Sequence, residues 1–115
     1  MSKALLYTIL IFFITQSAVW FQTNGQFLWT WFDKNPWILS IIGGTTISYA
    51  FILATKFAYQ HFDGLLWPGR FLGFAIGITS YALLTWWFMG EGITLKTFTS
   101  LILATGIICV QLFWK

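Results

Sequence analysis

Four long apolar stretches occupy most of this 115-residue chain, and they limit its possible folds more than any other feature. The stretches are Ala4–Gln22, Pro36–Tyr59, Leu65–Met89 and Thr97–Trp114. Each is close to the roughly 20 apolar residues that an α-helix needs to cross a bilayer. Because lipid cannot hydrogen-bond to the backbone, such segments are expected to be helical. The sequence therefore predicts an all-α integral membrane protein, a bundle of four transmembrane helices that forms one domain over residues 1–115.

Composition agrees with residence in a lipid bilayer. Charged residues make up 8% of the chain and hydrophobic residues 58%. The eight tryptophans fall mainly near predicted span ends, where indole rings favour the headgroup level: Trp20, Trp29, Trp31, Trp37, Trp67, Trp86, Trp87 and Trp114. The net charge of +3 comes from dispersed basic residues and not from a basic patch, so we expect the bilayer and no nucleic acid as a partner.

No motif in the sequence indicates an enzyme or a cofactor site. Cys109 is the single cysteine and His61 the single histidine, so neither has the partners that a metal site requires. The acidic residues Asp33, Asp63 and Glu91 all fall at span ends, which leaves no pair of carboxylates within the membrane. We therefore expect no catalytic residues, no metal and no cofactor.

The basic residues predict the orientation of the spans. On the side of the termini and the second loop lie Lys3, Lys56, Arg70 and Lys115, against Lys34 and Lys96 on the other side. The positive-inside rule then favours a multi-pass protein of the inner (plasma) membrane with cytoplasmic termini. The bias is modest, so dual or inverted insertion stays open. The start of the chain is also weakly compatible with a cleaved signal peptide, although the apolar run continues through Val19, Trp20 and Phe21.

Small residues recur at helical spacing and predict where helices pack closely. In the third span, Gly69, Gly73 and Gly77 are four residues apart and share one face. Ala104 lies on a comparable face of the fourth span. The second span carries a similar line at Gly43, Ile47, Ala50, Ala54 and Ala58. Ordinary packing within one chain and contact with a second copy, as in a homodimer, are both compatible with these stripes.

Polar side chains within the apolar spans are candidates for binding a solute, because burying them in lipid is unfavourable. The candidates are Gln16, Tyr49, Lys56 and Arg70. Structural explanations compete with this one: Gln16 is suited to an interhelical hydrogen bond, and the long stems of Lys56 and Arg70 allow their charges to reach the membrane surface. The functional hypothesis is a polar cavity between the helices that holds a small solute.

The last third of the chain resembles the drug/metabolite transporter superfamily. The run WFMGEGITL at residues 87–95 is similar to the Gly-Glu or Gly-Gln turn that ends a span in that superfamily, and Thr94 is a natural N-cap for the helix that follows. The closing helix contains Gly106-Ile107-Ile108, and the run LATKFAY at residues 53–59 is similar to the second span of the small multidrug resistance group. With four spans and this length, the chain looks most like that group and other half-size members.

The resemblance implies a four-helix protomer that dimerises, often antiparallel, around a central solute site. The group uses a glutamate in its first span to bind cations and protons alternately, whereas the nearest counterpart here is neutral Gln16. Arg70 and Gly73 fall where the group has aromatic residues that face the substrate. An amide can hydrogen-bond but cannot exchange a proton for a cation. Proton-coupled export of cationic drugs is therefore not expected.

Two functional hypotheses follow. In the first, the chain is a half-size transporter that moves a small neutral or anionic metabolite as a dimer. In the second, it is a non-transporting membrane subunit that packs against a partner protein through its glycine and aromatic faces. A cavity that reaches Gln16 and Arg70 would favour transport, and a tightly packed interior would favour the subunit.

Overall fold

The computed structural model describes residues 3–114, and these are almost entirely helical. The helices are α1 (Lys3–Asn24), α2 (Thr30–Lys34), α3 (Pro36–His61), α4 (Trp67–Met89) and α5 (Leu95–Phe113). A 3₁₀ turn, Gly25–Phe27, follows α1. The helices α1, α3, α4 and α5 are long and apolar enough to cross a membrane, which confirms the prediction of an all-α chain with four such helices. Among the described residues there is no strand.

The ends of the helices follow from local sequence chemistry. Gly90 ends α4 in the left-handed conformation (φ 68°), which a residue without a Cβ adopts at little cost. The Thr94 side chain accepts a hydrogen bond from the Thr97 backbone N–H at 3.2 Å, so the predicted N-cap of α5 is confirmed. The third span begins at Trp67 and not at Leu65, because residues 62–66 form the turn between α3 and α4.

Within α3 the backbone departs from a regular α-helix. Leu39–Gly43 is a π-helical segment between the α-helical parts Pro36–Ile38 and Gly44–His61. The Gln22 side chain of α1 donates a hydrogen bond from Nε2 to the Leu39 carbonyl oxygen at 2.9 Å. Leu39 is the first residue of the π-helical segment, so this bond links that segment to α1.

The first long helix lies between two others. Phe12 and Gln16 of α1 meet Gly73 and Gly77 of α4 in the same order along both helices, so α1 and α4 run parallel. Ring contacts Tyr7–Phe57 and Phe12–Phe51 show that α1 and α3 run antiparallel. As a result, the start of α1, the end of α3 and the start of α4 lie at one end of the molecule.

The fourth long helix is peripheral. It packs principally against α4, and of its residues only Ala104 is fully buried. The described chain is accordingly flattened, with extents of 48 × 36 × 19 Å. The packing therefore differs from the compact four-helix bundle that the short loops predict: α1, α3 and α4 pack closely, and α5 is attached along α4.

Gly69, Gly73 and Gly77 of α4, which we call the glycine stripe, contact helices of the same chain. A Cβ atom at Gly69 would lie 2.8 Å from the Ala58 Cβ of α3, and one at Gly73 would lie 3.0 Å from the Phe12 ring of α1. At Gly77 it would lie 2.8 Å from the Gln16 side chain. These distances are shorter than ordinary van der Waals contacts, so the absence of side chains allows the helices to approach. The sequence left open whether the stripe packs within one chain or against a second copy. In the structure, the stripe packs against α1 and α3 of the same chain.

Trp20 differs from the expectation for tryptophans at the headgroup level. It is 1% exposed, its indole Nε1 donates to Thr85 Oγ1 at 2.9 Å, and its ring packs against Phe21 and Phe88. The other seven tryptophans are 42–79% exposed, and their position at the headgroup level stays a prediction. For Trp20, a hydroxyl of α4 and not water is the hydrogen-bond partner of the indole N–H.

Candidate functional site

Two cavities lie on either side of the packed α1–α4 pair. The first, which we call the cleft, has a volume of about 610 Å³ and lies between α1, α3, α4 and the α3–α4 turn. Its walls are aromatic or apolar, and its polar groups are few. Residues that line it include Phe12, Gln16, Phe51, Thr55, Tyr59, Trp67 and Arg70. The second, which we call the groove, has a volume of about 680 Å³ and lies between α4 and α5, with Gln16 of α1 at its base.

Gln16 lines both cavities. Its Nε2 donates a hydrogen bond to the Gly73 carbonyl oxygen at 3.2 Å, and its amide lies against Gly77. A Cβ at Gly77 would lie 2.8 Å from this amide, so the absence of a side chain at Gly77 leaves room for it. The interhelical hydrogen bond and the cavity lining, which were alternatives for Gln16 at the level of sequence, are both present.

Arg70 also lines both cavities, and it does so from the first turn of α4. It lies three residues after Trp67, which at helical rise is about 4.5 Å from the start of the helix. Its side chain is exposed, and within residues 3–114 the guanidinium forms no ion pair and no side-chain hydrogen bond. Its positive charge and its five N–H donors are therefore available to a ligand.

Two of the four predicted substrate-binding residues are not part of either cavity. Tyr49 is 65% exposed, Lys56 is exposed, and neither lines the cleft or the groove. The cause is helical register: α3 turns Ala54 and Ala58 toward the interior, and this places Tyr49 and Lys56 on a different face. Of the four, Gln16 and Arg70 line the same cavities and Tyr49 and Lys56 do not, and substrate binding by any of them stays a prediction.

Sequence reasoning missed several residues that line the cleft. Thr55 and Tyr59 of α3 and Trp67 of α4 supply a hydroxyl, a phenol and an indole. Tyr59 is four residues from Thr55, and this spacing on α3 could have indicated a shared face. No comparable sequence signal identifies Trp67, because it resembles the other tryptophans at span ends.

Comparisons with known proteins found no match. No protein-family model, no curated protein and no solved structure matches it. The resemblance to the drug/metabolite transporter superfamily therefore remains a prediction from the sequence.

The chemistry of the cleft suits binding of a small molecule. A guanidinium pairs strongly with carboxylate or phosphate oxygens, and an amide can orient a neutral acceptor or donor. Aromatic walls favour the apolar part of a ligand. In the part of the chain that the structure describes, no three His, Cys, Asp or Glu side chains come together as metal ligands.

Proposed function

We propose that this chain is the protomer of a small membrane transporter, similar to the drug/metabolite transporter superfamily, that moves a small neutral or anionic metabolite through the cleft. The observation that carries the proposal is that Gln16 and Arg70 meet in a cavity of about 610 Å³ whose remaining walls are mainly aromatic and apolar. Such cavities with few convergent polar groups are the usual form of small-molecule sites. Neither enzyme activity nor a cofactor is part of the proposal.

Each residue of the cleft has a distinct role in the proposal. Arg70 attracts the anionic group of the metabolite near the membrane surface, because its charge has no partner within the described residues. Gln16 lies deeper and orients a polar atom of the ligand, while Tyr59 and Trp67 contact its apolar part. With an amide in place of a first-span carboxylate, the cleft disfavours cationic drugs and does not exchange protons for cations.

We further propose that the protein is inserted in the inner (plasma) membrane with its termini in the cytoplasm. Lys3, Lys56 and Arg70 lie at the same end of the molecule, which supports the charge bias read from the sequence. Lys115, the fourth basic residue of that bias, lies outside the described residues.

The alternative function is a non-transporting subunit that packs against another membrane protein. The observation that favours it is that α5 buries only Ala104 within the chain, although most of its surface is apolar. The same surface is available to a second copy, as the proposed dimer requires. The two functions differ in what they require of Arg70, which is essential for transport and unnecessary for a packing subunit.

Ligand binding separates these functions. We expect a screen of small carboxylates and phosphates to find compounds that raise the thermal stability of the protein in mild detergent. The variant Arg70→Gln should lose this stabilisation, with affinity reduced at least roughly tenfold, as is usual when a charge-assisted contact is removed. Quaternary ammonium compounds of similar size should not stabilise either protein.

The chain supplies a matched control for this experiment. Lys56→Gln removes a positive charge at the same end of the molecule, but from a residue outside both cavities. It should retain the affinity of the original protein. Equal losses in the two variants would mean that the response is to net charge and would refute a site at Arg70.

A further inference from the structure

The groove between α4 and α5 has the form of a site for one lipid chain. Its α4 wall extends from Trp67 to Tyr81, which is about 21 Å at helical rise. Ile107 of α5 forms the opposite wall. The groove thus extends along α4.

Most of the surface within the groove is apolar and exposed. Phe74, Ile78 and Tyr81 of α4 and Ile107 of α5 all retain more than a third of their accessible surface. Among the described residues of α5 only Ala104 is buried, so most of the surface of that helix stays uncovered by the protomer. A hydrocarbon chain laid in this space would cover side chains that the protomer itself leaves uncovered.

The positive charge of Arg70 at one end of the groove favours a ligand with an anionic headgroup. Arg70 lies in the first turn of α4, and its guanidinium has no ion pair within residues 3–114. If α4 spans a bilayer, its first turn lies near the headgroups. Lys3 and Lys56 lie at the same end of the molecule, and with Arg70 these basic residues outnumber Asp63 of the α3–α4 turn. Basic pockets between helices at the cytoplasmic side are suited to anionic headgroups.

We propose that the groove binds one anionic phospholipid, with its phosphate on Arg70 and one acyl chain along Phe74 and Ile78. The proposal goes beyond the proposed transport function. Arg70 lines both the groove and the cleft, so an anionic metabolite and the phospholipid would compete for its guanidinium, whereas Phe74 and Ile78 line the groove and not the cleft. Lipid binding here would stand even if no metabolite enters the cleft.

Native mass spectrometry of the protein in mild detergent tests the proposal, with phosphatidylglycerol and phosphatidylcholine of identical chains as probes. We expect one phosphatidylglycerol to remain bound in preference to phosphatidylcholine. Arg70→Gln should reduce the affinity for phosphatidylglycerol roughly fivefold, which corresponds to about 1 kcal/mol for one basic residue near the surface. Lys56→Gln should change it much less.

A second pair of variants tests the acyl-chain part independently of charge. Ile78→Trp fills the groove and should weaken binding of both lipids, whereas Ile52→Trp, at an exposed position outside both cavities, should not. Because Ile78 does not line the cleft, Ile78→Trp should leave metabolite binding intact, so failure of one proposal can be told from failure of the other. Equal effects of the paired variants, or equally tight binding of soluble glycerol phosphate, would overturn the lipid site.

Discussion

Replacing Gly73 by leucine is expected to prevent the α1–α4 pair from packing. A Cβ at this position would already lie 3.0 Å from the ring of Phe12, which is itself buried against Phe51 and cannot move without disturbing α3. The Gly73 carbonyl also accepts the hydrogen bond from Gln16, and a displaced α4 would lose it. Overpacking of this kind typically costs about 1–3 kcal/mol and occasionally more. The sequence predicts a loss of assembly for this variant, and the structure places the primary damage within the protomer.

The measurement is the fraction of dodecyl sulfate at which the protein unfolds in mixed micelles with a mild detergent. Circular dichroism monitors the loss of helix as that fraction increases. Gly106→Leu is the matched control, because a Cβ at Gly106 meets no atom within 4 Å in the described chain. The control should unfold like the original protein. If both variants unfold at the same detergent fraction, the contact between Gly73 and Phe12 does not hold the helices together.

Replacing Trp20 by alanine is expected to have the second large effect on stability. Trp20 is almost fully buried, its indole donates to Thr85, and its ring packs against Phe21 and Phe88. The substitution removes these contacts and leaves a cavity between α1 and α4. Removing a buried tryptophan side chain costs about 3–5 kcal/mol in proteins generally.

Trp87→Ala is the control for the loss of an indole, since Trp87 is 74% exposed near the end of α4. In the same unfolding experiment, Trp20→Ala should unfold at a clearly lower fraction of dodecyl sulfate, and Trp87→Ala should be nearly unchanged. A larger effect at Trp87 would mean that Trp20 lies at the membrane surface, as its position near a span end first suggests.

The sequence predicts most of the fold because its strongest signals are local. Long apolar runs predict the four helices, and Thr94 and Gly90 mark helix ends through local backbone chemistry. The glycine stripe predicts close contact along one face of α4. It does not identify the partner, because the same small residues serve contact within one chain or between two copies.

The candidate site is predicted only in part because it depends on how helices rotate against one another. The face of α3 that turns inward is set by Ala54 and Ala58, and this choice leaves Tyr49 and Lys56 outside the cavities. Hydrophobic periodicity cannot reveal such a choice when both faces of a span are apolar. The π-helical segment Leu39–Gly43 of α3 also has no recognisable signal in the sequence.

The central claim is that the cleft admits a water-soluble anion into a membrane protein, and thiol labelling tests it most directly. In a Cys109→Ser background, Thr55→Cys places a thiol in the cleft, and Ile52→Cys places one on the exposed apolar face of the same helix. In membrane vesicles, a small anionic thiosulfonate should label the first variant and not the second, and Arg70→Gln should slow that labelling. Failure to label Thr55→Cys, or equal labelling at both positions, would contradict the account.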